Sequence, residues 1–213
     1  MLNAAHGEGA LSTDIQSAGA GTPLTAPRFY SAGTTMDLSL SLHFIKHQFP
    51  STSLHGIGFS LGASVLSRYL GETGSQSLLT SGISLGCPWD LTNMSRHLES
   101  GILIPLIYSR ALGDNLRTLY LALHKKYPGV LDDPKRPESK NFKVNLDKLI
   151  KMGSGVRLKA VDDIMVSQVG GPWGVGLWPF ENAAEYYAWA SPSNLLHGVR
   201  RYAFLFSVHA GLN

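Results

Sequence analysis

The chain has 213 residues, 44% of them hydrophobic, and a formal net charge of only +3. These values are typical of a globular protein with one substantial core. Its tight basic pairs, which are Lys125-Lys126, Lys135-Arg136 and Arg200-Arg201, have no interleaved aromatic residues, so no nucleic-acid partner is expected. The single cysteine, Cys87, excludes an intramolecular disulfide framework and indicates a buried structural thiol in a reducing, intracellular compartment.

The N-terminal residues are rich in glycine, alanine, serine and threonine without any apolar period. This composition predicts an irregular segment over residues 1–27, which we expect to be the least ordered part of the chain. Residues 1–20 also lack the basic start and the apolar stretch of a secretory signal peptide.

Regular structure is predicted to begin with a helix at Thr34. Leu38, Leu42, Ile45 and Phe49 recur at intervals of four, three and four residues, which places them in one apolar stripe. The proline after Phe49 ends the helix. We expect the stripe to face the core.

The most informative motif, Gly58-Phe59-Ser60-Leu61-Gly62, stands between a predicted strand at 54–59 and a predicted helix at 63–70. A glycine-flanked serine in this context is typical of a nucleophile elbow, in which the serine hydroxyl projects over the end of a sheet. The two glycines are expected to let strand and helix approach each other. The strand, the turn and the helix together predict that Ser60 is the nucleophile.

A second match to the motif, Gly82-Ile83-Ser84-Leu85-Gly86, is followed by Cys87-Pro88. Proline disfavours helix in the residue before it, so no helix stands directly behind Ser84. We therefore interpret Ser84 as an ordinary serine in a second strand at 78–85. The order of strand, helix and strand indicates a parallel α/β sheet.

Helical patterns occupy the next hundred residues, and a strand-like run returns only at 202–208. We interpret the helical stretch as a lid inserted above an active site. Long crossover helices are the alternative, although one crossover needs only about 10–12 residues.

Five segments resemble one known family. They are Arg28-Phe29-Tyr30-Ser31-Ala32-Gly33-Thr34-Thr35 with Asp37-Leu38, then Phe49-Pro50, the elbow motif with Ala63, Gly86-Cys87-Pro88-Trp89-Asp90-Leu91, and Tyr186-Tyr187-Ala188-Trp189-Ala190-Ser191-Pro192. The set is similar to the α/β-hydrolases that include fungal medium-chain fatty-acid ethyl ester synthase/esterases and animal lipid-directed α/β-hydrolase-domain proteins. The similarity spans roughly residues 20 to 208.

The resemblance implies a partial α/β-hydrolase fold, a parallel sheet with a nucleophile elbow and a helical lid insertion. It divides the chain into the irregular segment 1–27, a hydrolase core at 28–91, the lid at 92–190 and a return to the core at 191–213. The expected activity is hydrolysis of medium-chain fatty-acyl carboxylic esters, with acyl transfer to an alcohol in some members. A small acyl ester or alcohol would be the partner, and no cofactor or metal is expected. The resemblance also suggests a cytoplasmic protein or one peripherally associated with lipid or membrane.

The chain departs from the family pattern at both ends. Members begin with several strands and a His-Gly-rich loop that supplies a second oxyanion-hole amide, and they continue past the strand at 202–208 to a triad acid and then a histidine. We therefore expect a chain that is truncated at both ends and nearly inert. A catalytically incomplete fragment or pseudoenzyme, with at most a lipid-binding role, is the alternative function.

The chemistry expected around Ser60 is incomplete. The amide of Leu61, at the start of the following helix, would stabilise the oxyanion. Asp90, just past the second strand, is a candidate alternative acid, although capping the loop beside Pro88 is the commoner role there. No histidine is a convincing base, but His209 and His197 are the candidates to revisit.

Other chemistry-bearing residues receive ordinary interpretations. No histidine, cysteine or acidic cluster has metal-ligand spacing. Asp162-Asp163 is expected to be solvated in the lid. Tyr108, Leu112, Trp173 and Trp178 are candidates to line an acyl-chain site, and core packing explains them equally well.

Overall fold

The structure is a computed structural model and describes residues 4–7, 10–13, 23, 29, 31–103, 105–130, 142–169 and 180–199. Its strands are β1 (Ala4–Gly7), β2 (Ala10–Thr13), β3 (Leu54–Phe59) and β4 (Leu79–Leu85). Its α-helices are α1 (Met36–Gln48), α2 (Leu61–Thr73), α3 (Leu91–Glu99), α4 (Arg110–Lys126), α5 (Phe142–Lys151), α6 (Leu158–Ile164), α7 (Val166–Val169) and α8 (Ala183–Ala190). A π-helical turn covers Pro105–Ser109, and 3-10 turns cover Gly74–Gln76 and Pro192–Gly198.

The parallel pairing of β3 and β4 confirms the predicted sheet direction. α2 crosses one face of this pair, over Gly56 and Gly82. A Cβ atom on Gly56 would stand 2.9 Å from Leu66 Cδ1, and one on Gly82 would stand 2.8 Å from Leu70 Cδ1. Glycine therefore lets the leucines of α2 rest directly on the strand backbones.

The smaller of two hydrophobic cores lies between α2, the sheet and α1 and comprises Leu42, Leu66, Tyr69, Leu70 and Leu79. Only part of the predicted α1 stripe is buried. Leu42 is fully inside, whereas Phe49 lies just past the helix end and is exposed. The helix stops at Gln48, so the last position of the stripe never turns toward the core.

The larger core lies among the helices between residues 91 and 190. It includes Leu91, Tyr120, Leu149, Val161 and Tyr186. Every regular element described in this stretch is a helix or helical turn. The division into core and lid, and the exact bounds of that division, stay predictions.

Two expectations concern the ends of the chain. The irregular segment predicted for residues 1–27 is wrong in one part, because β1 and β2 form an antiparallel hairpin with Gly7 paired to Ala10. The prediction failed because the two short strands show little apolar alternation. The predicted strand at 202–208 lies outside the described residues.

No helix in the described part of the chain is both long and apolar enough to cross a membrane.

Candidate active site

Ser60 occupies the junction between β3 and α2, in a backbone conformation that side chains rarely adopt. Its φ is 49° and its ψ is −116°, and it is the one non-glycine residue with positive φ in the described part of the chain. Such a conformation raises the free energy by about 1–3 kcal/mol and persists only where the surroundings enforce it. Here the Ser60 amide donates to the Leu85 carbonyl at 2.9 Å, which ties the turn to the neighbouring strand.

Gly58 makes the turn sterically possible. A Cβ atom at this position would stand 2.6 Å from the Gly62 carbonyl oxygen and 2.7 Å from the Ala63 Cα, closer than any real side chain allows. Gly62 differs, because a Cβ atom there meets nothing within 4 Å. Among the described residues, the close approach of strand and helix therefore depends on Gly58 and not on Gly62.

Two backbone amides at the start of α2 remain as hydrogen-bond donors next to Ser60. The Ser60 carbonyl accepts from the amides of Ala63, at 3.0 Å, and Ser64, at 3.2 Å. Within the described part of the chain, the amides of Leu61 and Gly62 have no acceptor. Unpaired amides at a helix start carry partial positive charge and attract an anion. The Leu61 amide is thus free to serve the predicted oxyanion role.

The Ser60 hydroxyl is exposed and has no hydrogen-bond partner among the residues that the structure describes. His55 bonds the Ser81 hydroxyl at 2.7 Å, and His43 contacts the Ser39 carbonyl at 2.8 Å. His197 lies in the turn Pro192–Gly198 and is exposed. His209 is outside the described residues. The described contacts therefore bring no base to the hydroxyl.

Ser84 is a buried strand serine, as predicted. Its hydroxyl pairs with the Ser67 hydroxyl at 2.8 Å and donates to the Ala63 carbonyl at 3.4 Å, so α2 covers it completely. Cys87 is also buried, as predicted, and burial raises the pKa of its thiol. Both residues belong to the packing between α2 and β4.

Asp90 caps α3. One carboxylate oxygen accepts from the Asn93 amide at 2.8 Å, and the other accepts from the Asn93 side-chain nitrogen at 2.6 Å. The carboxylate therefore caps a helix, whereas the sequence favoured a loop-capping role beside Pro88. An acid role for Asp90 stays a prediction, and no described histidine contacts its carboxylate.

The expectation that Asp162-Asp163 is solvated is wrong for Asp162, whereas the side chain of Asp163 is partly exposed. Asp162 is 5% exposed and accepts a short hydrogen bond from the Tyr187 hydroxyl. Burial raises the pKa of Asp162 from its ordinary value of 3.8 to about 7, and the Tyr187 hydrogen bond only partly opposes that rise. Asp163 bonds Lys159 at 2.7 Å and the amide of Ala183 at 2.8 Å. The pair joins α6 to α8 because both carboxylates face α8.

Arg68 is a supporting residue that the sequence analysis missed. It lies eight residues after Ser60 on α2, and its guanidinium donates to the carbonyls of Gly33 at 3.2 Å and Trp189 at 2.7 Å. It also bonds Glu72 at 2.9 Å and stacks 4.8 Å from the centre of the Trp189 ring. Burial lowers the pKa of Arg68, and Glu72 opposes that effect. One sequence feature could have indicated this role: Arg68 is the one arginine on a face of α2 whose other residues before Glu72 are small or apolar.

Two of the predicted acyl-site residues, Tyr108 and Leu112, are exposed, and their described contacts do not connect them to Ser60. The other two, Trp173 and Trp178, lie outside the described residues. The described part of the chain contains no group of three potential metal ligands.

Comparison with known proteins adds an independent observation. The chain is 30% identical over 177 residues to the monoacylglycerol lipase of Saccharomyces cerevisiae, an alignment that covers 83% of this chain and 35% of that protein. It is 27% identical to the medium-chain fatty acid ethyl ester synthase/esterase 2 of the same yeast, over 83% of this chain and 39% of the relative. It is 26% identical to monoacylglycerol lipase ABHD2 of Mus musculus, over 88% of this chain and 40% of that protein. No protein-family model and no solved structure matches the chain.

These similarities, with the parallel strands and the strand–serine–helix junction, show that the chain resembles the α/β-hydrolase family. The family resemblance predicted from the motifs is confirmed, and the architecture is that of part of an α/β-hydrolase fold. The chain spans 35–40% of the length of the three relatives named above.

Proposed function

We propose that this protein is a serine ester hydrolase for fatty-acyl carboxylic esters, with Ser60 as its nucleophile. The observation that carries the proposal is the enforced positive φ of an exposed serine between a parallel strand and a helix. A strained backbone at an exposed polar residue favours a functional explanation over a packing one. The names of the relatives, a monoacylglycerol lipase and an ethyl ester synthase/esterase, support an acyl ester as the substrate class.

The residues define the following chemistry. The Ser60 oxygen attacks the ester carbonyl carbon while its proton passes to a base, and the carbonyl electrons move to an oxyanion facing the Leu61 amide. One such donor lowers the barrier by about 3 kcal/mol. Collapse of the oxyanion expels the alcohol with a proton and leaves an acyl group on Ser60. Water, or a second alcohol, then takes the acyl group and returns the proton to the serine.

Two finer parts of the proposal rest on the relatives. Medium-chain acyl specificity and transfer to an alcohol are supported by the name of one yeast relative, a medium-chain fatty acid ethyl ester synthase/esterase. We extend both to this protein as part of the same proposal.

A second candidate is a non-catalytic, lipid-binding product. The observation that favours it is the lack of any described hydrogen-bond partner for the Ser60 hydroxyl. Serine without a positioned base is a weak nucleophile, and only the residual catalysis of binding and oxyanion donors would remain.

Labelling with a fluorophosphonate probe separates the two candidates. We expect slow labelling that maps to the Ser60 peptide by mass spectrometry, disappears in Ser60→Ala and persists in Ser84→Ala. Ser84 is the matched control because it has the same glycine-flanked motif but is buried. Equal labelling of the wild type and Ser60→Ala would refute the nucleophile assignment. Complete absence of labelling would favour the second candidate.

A substrate series tests the finer claims. p-Nitrophenyl esters of short, medium and long acyl chains should give their highest kcat/KM at medium length, and added ethanol should yield ethyl ester in a Ser60-dependent reaction. A maximum at another chain length would contradict the medium-chain claim. Product that is only free acid would contradict the transfer claim.

A further inference from the structure

One stretch of the helical region presents large apolar side chains to solvent. Six of them, between 46% and 82% exposed, lie on the π-helical turn and on the residues that flank it: Ile102, Leu103, Leu106, Ile107, Tyr108 and Leu112. We name these six residues the apolar ridge. Contiguous exposed apolar surface of this kind marks an interaction site more often than it marks chance exposure.

The opposite side of the same stretch is fixed to the protein. The buried Ser109 hydroxyl donates to Glu99 at 2.6 Å and accepts from the Leu158 amide at 3.1 Å. One turn later, Gly113 packs so closely on the backbone that a Cβ atom would clash with the Val156 carbonyl. The ridge therefore cannot rotate inward to bury its apolar side chains without breaking these contacts.

Two arginines near the ridge, Arg96 and Arg110, have no ion-pair partner among the described residues. Arg157 pairs with Glu99 at 3.1 Å, and the Asp114 carboxylate is occupied by the backbone amides of the loop that follows α5. The guanidinium of Arg110 is exposed and has no hydrogen bond or ion pair with a described residue, and that of Arg96 bonds only the neutral side chain of Asn93. A partner surface is thus expected to have an apolar interior, which the ridge contacts, and anionic groups at its surface, which the two arginines contact.

The ridge is also close, along the chain, to the edge of the sheet that holds Ser60. Phe59 and Leu85, the last residues of β3 and β4, are paired, so both strands end at one edge. α3 begins six residues after Leu85 and leads to the ridge. Its nine residues span about 14 Å at 1.5 Å per residue.

We propose that the apolar ridge is a docking surface for an anionic lipid bilayer, held at the interface by its apolar side chains and by Arg96 and Arg110. Exposed aliphatic and tyrosine side chains bordered by cations are the composition that peripheral membrane surfaces use. A second copy of the chain fits less well. A symmetric contact through the ridge would bring the arginines of the two copies together, and like charges at an interface oppose association.

Sedimentation with vesicles tests the proposal in the Ser60→Ala protein. We expect this protein to bind vesicles of equal parts phosphatidylcholine and phosphatidylserine. The double variant Leu106→Ser/Ile107→Ser should partition at least about tenfold more weakly, because two exposed side chains no longer enter the bilayer. The matched control is Leu40→Ser/Phe44→Ser, which removes equally exposed apolar residues from α1 and should bind normally.

A charge variant and a label complete the test. Arg96→Gln/Arg110→Gln should reduce binding to the anionic vesicles by roughly tenfold and have little effect on vesicles of phosphatidylcholine alone. A dye on Ile107→Cys should shift to shorter emission wavelengths when anionic vesicles are added, while the buried Cys87 stays unlabelled.

Three results would overturn the docking surface: equal partition of the ridge variant and the α1 control, an unshifted dye, or a dimer in solution that only the ridge variant disrupts. All of the vesicle-binding measurements use protein that carries Ser60→Ala, so they do not depend on the proposed nucleophile. A failure here therefore leaves the fluorophosphonate result standing, and the reverse also holds.

Discussion

At the scale of single residues, Ser60 combines three properties that are rarely found together. Its backbone is strained, its amide is fixed to β4, and its carbonyl satisfies two amides of α2, which leaves the amides of Leu61 and Gly62 without acceptors in the described part of the chain. Each property follows from the sharp change of direction between strand and helix. The same turn therefore exposes the hydroxyl and leaves the Leu61 amide, the proposed oxyanion donor, without an acceptor among the described residues.

A glycine comparison tests whether this turn is sterically set. Gly58→Ala should destabilise the protein by about 1–3 kcal/mol, because the new methyl group would meet the backbone of residues 62 and 63. Gly62→Ala should be neutral or stabilising by up to about 1 kcal/mol, because the position is helical and open. Urea unfolding of both variants gives the two free energies. Equal destabilisation by the two changes would contradict the geometry described here.

Some residue roles could be predicted from sequence and others could not. Ser60 and Ser84 share one motif, and the proline after the second match was enough to assign Ser84 to a strand and not to an elbow. The burial of Asp162 was hidden, because a pair of aspartates on a seven-residue helix has the same pattern as a solvated face. Only the packing of α8 against α6 shows which carboxylate turns inward.

At the scale of elements, α8 connects the helical region to the elbow helix. Tyr186 on α8 accepts from the Ala32 amide at 2.9 Å, and Trp189 fills the space that a side chain on Gly33 would need. Arg68 on α2 donates to both Gly33 and Trp189. The segment before α1 is thereby held between α2 and α8.

Substitutions at Arg68 test this connection. Arg68→Met should destabilise the protein by about 2–4 kcal/mol, because it removes the donor from the buried carbonyl of Gly33 and from the partly buried carbonyl of Trp189. Arg68→Lys should recover only part of the loss, since an ammonium lacks the fork that reaches both carbonyls. Glu72→Gln is the control and should change stability by about 1 kcal/mol or less, as its ion pair is partly exposed. Thermal unfolding would measure all three, and an Arg68→Met protein as stable as the control would exclude the role.

The elements themselves were predicted unevenly. β3, α2 and β4 could be predicted because a short apolar run, a glycine pair and a helical stripe agree with one another at every position. The hairpin of β1 and β2 was missed because its two four-residue strands carry small residues with little alternation. The connection made by α8 was missed because it depends on contacts between residues more than a hundred positions apart, which no local pattern encodes.

At the scale of the whole molecule, the described residues form two hydrophobic cores. The smaller core binds α1 and α2 to the sheet, and the larger core joins the helices from α3 to α8. Asp162 and Tyr187 lie inside the larger core, and Tyr186, next in sequence, reaches the segment before α1. Ionisation of Asp162 should therefore lower the free energy of unfolding.

The pH dependence of unfolding follows from the sign of the Asp162 shift. Its pKa is raised from 3.8 to about 7 in the folded protein, so below pH 4 both states hold the proton and the contribution to stability is complete. As the pH rises from about 4 to about 7, the unfolded chain releases the proton first, and the free energy of unfolding falls by at most about 1.4 kcal/mol per pH unit. Asp162→Asn should remove this decline, whereas Asp147→Asn, at an exposed position of α5, should keep it. Urea midpoints measured across this range decide the matter: a wild-type curve as flat as that of Asp162→Asn would mean that the carboxyl is not held protonated by its surroundings.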